Sequence, residues 1–333
     1  MAGGDMCVQL TNDDAQISKM SCIERGYFQD NFLHFFVRRR ARRSPLINRG
    51  YYSRVMALRN LLYQFLGRAN MFPGQPLQVL SLGAGYDTTF FQLEAQGLAP
   101  ARFYEVDLRE VTQRKAATIA AVPDLRDRLG ASAAVDAEAG IVSSERYSLL
   151  PADLREPEAL APALRAAGLD EAAPTFVLAE CVLVYLAPEE GAALVRCLGA
   201  LLRCAAFVLY EQIRPDDAFG QQMVRNLESR GCPLRGLPGT PDLEAQRRRF
   251  TDNAWQRAEA ADMDIIHRCH LDPIDRQRAE RLEIFDEFEE WHLIQAHYCI
   301  AVGINDDRGF FQGVSFPKFP QRQLPGRALP NAA

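Results

Sequence analysis

The stretch Leu77-Gln-Val-Leu-Ser-Leu-Gly-Ala-Gly-Tyr-Asp87 decides the fold. A short apolar run enters two glycines, and a helix-like segment, 87–96, leaves them. Glycine at 83 and 85 lets the backbone approach a ligand closely, because no Cβ intervenes. A lone Gly-x-Gly is weak, since ordinary tight turns use it too. The next apolar run, Phe103-Tyr-Glu-Val-Asp107, makes it stronger by ending in an acid 24 residues after Gly83. An α/β nucleotide site needs a carboxylate there to accept hydrogen bonds from ribose hydroxyls. The plainer reading of Asp107 is a solvent acid at a strand end.

Thr88 stands where a dinucleotide site would carry its third glycine. That glycine serves close helix packing beside a pyrophosphate. S-adenosylmethionine has no phosphate, so the pattern favours this methyl donor over NAD.

Outward from this motif, short apolar runs alternate with longer amphipathic segments. The runs are 77–82, 102–106, 148–150, 175–179 and 206–210. Each has strand length, and each gap is long enough for a crossover helix. This predicts an α/β fold with a mostly parallel sheet and helices on both faces. A late β-branched run, 298–304, is expected as a final edge strand. Residues 1–75 read as a helical cap on a core of 76–305, with Tyr51, Tyr52, Val55, Leu58, Leu61, Leu62, Phe65 and Leu66 at helical spacing. Segment 211–260 is polar and turn-rich and reads as an inserted lid. Residues 276–296 read as one amphipathic helix with Glu283, Asp286, Glu287, Glu289 and Glu290 outward. The tail, 317–333, lacks apolar periodicity and is expected to be disordered.

Two further acids close predicted strands. Asp153 would accept from an adenine amine, with Leu154 offering its backbone amide. Glu180, in Leu178-Ala-Glu-Cys-Val-Leu-Val-Tyr185, lies between apolar runs, where an unpaired carboxylate is costly. A cationic amino group of the donor would pair with it; a purely structural role would be an ion pair with an arginine. Ligands of open α/β sheets lie beyond the carboxyl ends of the strands. Tyr185 lines the substrate side or fills core.

Seven ordered phrases resemble the leucine carboxyl methyltransferases, which methylate the C-terminal leucine of type 2A protein phosphatase catalytic subunits. They are Val8-Gln-Leu-Thr-Asn-Asp-Asp-Ala15, Ile47-Asn-Arg-Gly-Tyr-Tyr-Ser-Arg-Val55, Leu82-Gly-Ala-Gly-Tyr-Asp-Thr-Thr-Phe90, Tyr104-Glu-Val-Asp107, Ala152-Asp-Leu-Arg155, Leu178 to Tyr185 and Tyr210-Glu-Gln212. The resemblance implies a Rossmann-like class I methyltransferase fold with a seven-stranded sheet. It implies that Gly83 lies against S-adenosylmethionine, Asp107 holds its ribose, Asp153 and Leu154 its adenine, and Glu180 its amino group. Arg54 and Lys19 would meet the donor carboxylate; a guanidinium can clamp one bidentately. The expected partner is the C-terminal tail of the phosphatase 2A catalytic subunit. Wybutosine-forming tRNA methyltransferases share the catalytic domain but carry a long further domain, which is not expected here because little sequence follows residue 302. A small-molecule carboxyl methyltransferase and a non-catalytic phosphatase-binding module also compete with this expectation.

The composition allows one large core, or one core with an added cap. The 333 residues are 48% apolar and carry a net charge of −5, with a pI near 5.7. That balance gives no general reason to expect nucleic acid or a membrane surface, and no apolar run reaches the roughly 18 residues of a membrane span. The run Arg38-Arg-Arg-Ala-Arg-Arg43 reads as a solvated helix end. Eight cysteines without a Cys-x-x-Cys pair fit reduced thiols, and Cys269 with His267 and His270 lacks the further ligands zinc needs. We expect no metal, a monomer, and residence in the cytoplasm, with the nucleus as a second compartment. An acceptor carboxylate is already ionised at neutral pH, so no general base is expected.

Overall fold

The computed structural model describes residues 2–317, and side chains from Thr11 onward. The strands are β1 (Gln78–Leu82), β2 (Arg102–Asp107), β3 (Ala134–Asp136), β4 (Ile141–Ser143), β5 (Tyr147–Pro151), β6 (Thr175–Glu180), β7 (Cys204–Gln212), β8 (Arg257–Asp262) and β9 (Tyr298–Asp306). The helices are α1 (Ala2–Glu24), α2 (Pro45–Gly67), α3 (Thr89–Ala95), α4 (Arg109–Ala121), α5 (Pro123–Arg126), α6 (Pro157–Ala166), α7 (Pro188–Leu201), α8 (Ala218–Ser229), α9 (Leu243–Thr251), α10 (Met263–Ile265), α11 (Pro273–Glu280) and α12 (Phe288–Ala296).

Among the described residues, all nine strands form one sheet in the order β3-β4-β5-β2-β1-β6-β7-β9-β8. The block β5-β2-β1-β6-β7 is parallel. Its interior strands alternate their side chains between two cores, as period 2 demands. Val79 and Phe176 face one core, with α2, α3 and α4; Leu80 and Val177 face the other, with α6, α7 and α9. Helices therefore cover both faces, as the alternating runs predict. Among the described residues, no helix is long and apolar enough to cross a membrane.

Several boundaries differ from the sequence reading. The sheet has nine strands, because the short β3 and β4 add an antiparallel edge through Val142, which is buried under Leu149. β9 is interior, not an edge; β8 covers it. The sequence of β8, Arg-Ala-Glu-Ala-Ala-Asp, lacks the apolar face that marks a strand, since it packs only on one side. Segment 211–260 is not all lid. Its last third carries α9, whose Phe250 packs edge-on against Phe207 and Trp255 in the core. The expected helix 276–296 is two helices. Between them Glu283 turns inward, its side chain 6% exposed, to accept from Tyr27 Oη (3.2 Å) and Asn48 Nδ2 (2.8 Å).

The Arg38–Arg43 run is an irregular strap, not a helix end. Arg40 pairs with Glu24, Arg42 with Glu283 and Arg43 with Asp14, so the strap ties α1 to the loop before α12. In the N-terminal region α1 and α2 are helical as expected, and the chain from 36 to 44 between them is not. α2 docks by Phe65, which stacks on Phe311 at 5.8 Å and tilts onto Phe176 at 5.6 Å. The expectation for the tail from residue 318 lies outside the described residues.

Gly303 of β9 is where the Phe250 ring rests on the sheet; a Cβ there would collide with the ring carbons. Gly303→Ala is expected to destabilise the fold by about 1–3 kcal/mol through overpacking. Urea denaturation would show it as a lower midpoint at unchanged slope.

Candidate functional site

The parallel strands place four predicted groups in one row. Asp153 follows β5, Asp107 ends β2, Gly83 follows β1 and Glu180 ends β6, and these four strands are successive neighbours. With strands about 4.8 Å apart, the row runs roughly 14 Å, the length scale of a nucleoside joined to an amino acid. All four lie at carboxyl ends, where an open α/β sheet takes its ligand.

At one end, Glu180 is held between two cations. Lys19 of α1 donates to Glu180 Oε2 at 3.1 Å, and Arg54 of α2 donates to Oε1. Their side chains are only 11–16% exposed, covered yet reachable. Burial pushes the Glu180 carboxyl up, but Arg54 and Lys19 outweigh it and hold it at about 2. Glu180 has the arginine partner that a structural role requires, and Lys19 and Arg54, the two cations expected near it, both reach it. Two cations and one acid leave one positive charge over. That surplus suits a ligand carboxylate set against Arg54 and Lys19.

The middle of the row is the glycine turn. Gly83 and Gly85 have φ of +57° and +53°, where a side chain is strained. A Cβ at 85 would strike the Asn12 carboxamide, and one at 83 would strike Val182. Asp107 Oδ2 accepts from Gly85 N (2.6 Å) and Oδ1 from Leu108 N (2.7 Å). Burial pushes its carboxyl above the ordinary value, against these amides and the charge of Lys115. Asp107 nevertheless retains part of its surface.

The amides of this turn are taken by the protein itself. Ala84 N donates to Val106 O (3.1 Å), Tyr86 N to Asn12 Oδ1 (3.3 Å) and Asp87 N to Ala84 O (3.0 Å). With Gly85 N on Asp107, four successive amides have partners, whereas a phosphate site turns such groups toward its ligand. The loop therefore does not offer these amides as a phosphate cradle would.

Asp153 is less free than the sequence suggests. Arg155 grips it with Nε at 2.8 and 2.9 Å and Nη2 at 2.6 Å, and Oδ1 also accepts from Arg155 N. Burial raises its carboxyl, but Arg155 outweighs that and holds it low. Leu154 is buried beside it.

Beyond Glu180 stands a tyrosine-walled region. Arg54 lies 4.4 Å from the Tyr210 ring centroid and 5.3 Å from that of Tyr51. Tyr210 stacks on Tyr298 at 5.3 Å. Tyr185 joins from the turn after β6, its hydroxyl bonded to Thr11. Burial raises the hydroxyls of Tyr51, Tyr185 and Tyr210, and pushes Tyr298 up to about 12. Cys181, at φ +56°, carries the chain out of β6, and burial lifts its thiol to about 11. Asn12, Tyr51, Tyr210 and Tyr298 were missed as site residues. Asn12, Tyr51 and Tyr210 lie in phrases already noted, yet nothing local says what they face.

The leucine carboxyl methyltransferase family model matches residues 9–199. The chain belongs to that family. A leucine carboxyl methyltransferase 1 homolog of Arabidopsis thaliana is 49% identical over 93% of both chains. Leucine carboxyl methyltransferase 1 of Rattus norvegicus is 35% identical over 89% of both. A tRNA wybutosine-synthesizing protein 4 of Homo sapiens is 45% identical over 90% of this chain, which spans 44% of that protein. Among solved structures, a putative methyltransferase from Thermobifida fusca shares the fold at TM-score 0.51 and 17% identity, covering 79% of this chain and 83% of its own. In this family member, Gly83, Asp107, Asp153 and Glu180 stand together at the strand ends.

The depressed Glu180 value fixes a sign. Because its folded pKa lies below the ordinary carboxylate value of about 4.3, its ion pairing stabilises the fold fully above that value. The contribution is lost as pH falls toward about 2. Glu180→Gln is expected to cost about 3 kcal/mol at pH 7, as removal of one partner from a covered pair does. Urea midpoints at pH 7 and pH 3 should show the gap from wild type narrowing with acid.

Proposed function

We propose that the protein transfers a methyl group from S-adenosylmethionine to the C-terminal leucine carboxylate of a phosphatase catalytic subunit of the 2A type. The observation that carries this reading is the chemistry beside Glu180. Tyrosines with raised hydroxyls wall the region, and the chain's five histidines are engaged elsewhere. His267 bonds Ser53 and Glu280, His270 Pro317 O, His292 Asp264 and His297 Asp217, while His34 lies on Phe35. An acceptor entering here must bring its own nucleophile. A terminal carboxylate, with an ordinary pKa near 3.5, does so at neutral pH. The Arabidopsis and rat relatives, named for leucine carboxyl methylation, support the same acceptor.

The donor supplies a sulfonium methyl that a carboxylate oxygen displaces in line. This chain's residues have three tasks in that step. Asp107 accepts from the ribose hydroxyls, Asp153 and Leu154 sit at the adenine end, and Glu180 with Arg54 and Lys19 orients the amino-acid end. The tyrosine wall excludes water, which would solvate the separated ions better than the neutralising transition state. Alignment of this kind can supply on the order of 7–11 kcal/mol of a barrier. A wybutosine precursor on tRNA is the second reading, favoured by the 45% identity to the human relative.

Two measurements check these assignments. Arg54→Ala and Asp107→Ala should each weaken donor binding roughly ten- to hundredfold, the scale of a lost charged hydrogen bond; calorimetric titration that finds unchanged affinity in both refutes the donor site. Labelled S-adenosylmethionine should mark the phosphatase catalytic subunit and not a variant lacking its terminal leucine. Label in tRNA instead would favour the second reading.

A further inference from the structure

Behind the glycine turn lies a charge pair that the reaction does not use. Lys115 of α4 and Glu105 of β2 form an ion pair with both side chains wholly buried. Tyr147 Oη donates to Glu105 Oε2 at 2.6 Å, and Glu105 Oε1 is buried without a hydrogen-bond partner. Lysine is almost never buried so deeply unless paired. The pair is also a poor stabiliser in principle, since well-packed apolar residues in its place are often neutral or better. Stability alone does not account for it.

Its remaining contact does. Lys115 Nζ donates to the Asp87 carbonyl at 2.7 Å, the last residue of the turn. One ammonium therefore reaches the turn after β1 and the side chain of β2 from a helix that begins just past Asp107. Glu105 lies two residues before Asp107, on the same face of the strand. The bond from Gly85 N to Asp107 Oδ2 spans the same two segments from the ligand side. The turn is thus pinned from both sides, by Asp107 in front and Lys115 behind. Phe36 closes the rear, its ring centroid 5.9 Å from the ammonium.

We propose that Lys115, held by Glu105 and Tyr147, is a positioning residue that sets the glycine turn at the distance from Asp107 that donor binding requires. This rests on the reading of the turn and Asp107 as the S-adenosylmethionine site. Lys115 touches no substrate; it acts through the Asp87 carbonyl.

The test separates positioning from stability. The variant Lys115→Met/Glu105→Leu/Tyr147→Phe replaces the whole polar group with apolar residues of similar size. It should match wild type in urea denaturation, yet bind S-adenosylhomocysteine at least tenfold more weakly by calorimetry. Hydrogen exchange should quicken at the amides of 83–89 and stay unchanged in β6. Wild-type affinity in that folded variant overturns the proposal while leaving the donor site intact; failure of wild type itself to bind would instead remove the donor reading beneath it. If the triple variant does not fold, Glu105→Gln carries the test. The ammonium then loses its counter-ion, and affinity should fall at least threefold; no change overturns the proposal.

Discussion

Glu180 sits at the carboxyl end of a central strand with a lysine from one helix and an arginine from another on its two oxygens. Much else depends on that three-way contact. It draws α1 and α2, which precede the sheet in the chain, across the strand ends where a ligand must lie. A carboxylate so covered has to be paired, and pairing it twice leaves an excess of one positive charge. The surroundings of Glu180 are therefore electrostatically defined by the fold itself. The cost of desolvating three charges is offset only because all three are close.

The same logic of pairing shapes the neighbouring turn. Glycines with positive φ bring the backbone near the ligand, but its amides are spent on Val106, Asp107, Asn12 and Ala84. Asp107 does double duty, fixing the turn and remaining partly open. Asn12 comes from α1, the helix that also provides Lys19, so that helix touches both the glycine turn and Glu180. Lys115 holds the other side of the turn from within the core. Covered charges at both places are arranged around backbone position rather than around a proton to be transferred.

That arrangement suits a reaction with little proton chemistry. Among the groups near Glu180, burial raises the tyrosines and the Cys181 thiol away from neutrality. What they offer is an apolar wall with hydroxyl rims. The family is that of the leucine carboxyl methyltransferases, and the acceptor proposed above brings its own charge to such a wall.

The sequence by itself determined the strand–glycine-turn–helix unit, the acids at successive strand ends and the helical character of α2. Each is written locally, in residue period, in glycine placement and in distance along the chain. It did not determine that β9 lies inside the sheet, that α9 belongs to the core, or that Glu283 turns inward. Those outcomes depend on partners far away in sequence, such as Phe207 for Phe250 and Asn48 for Glu283, and a polar edge strand like β8 carries no local apolar signal. The meeting of Lys19, Arg54 and Glu180 is of the same kind. Each residue is an ordinary charge where it stands in the chain, and only packing of two helices over the sheet makes them one site, because a pair energy exists only at the distance that packing sets.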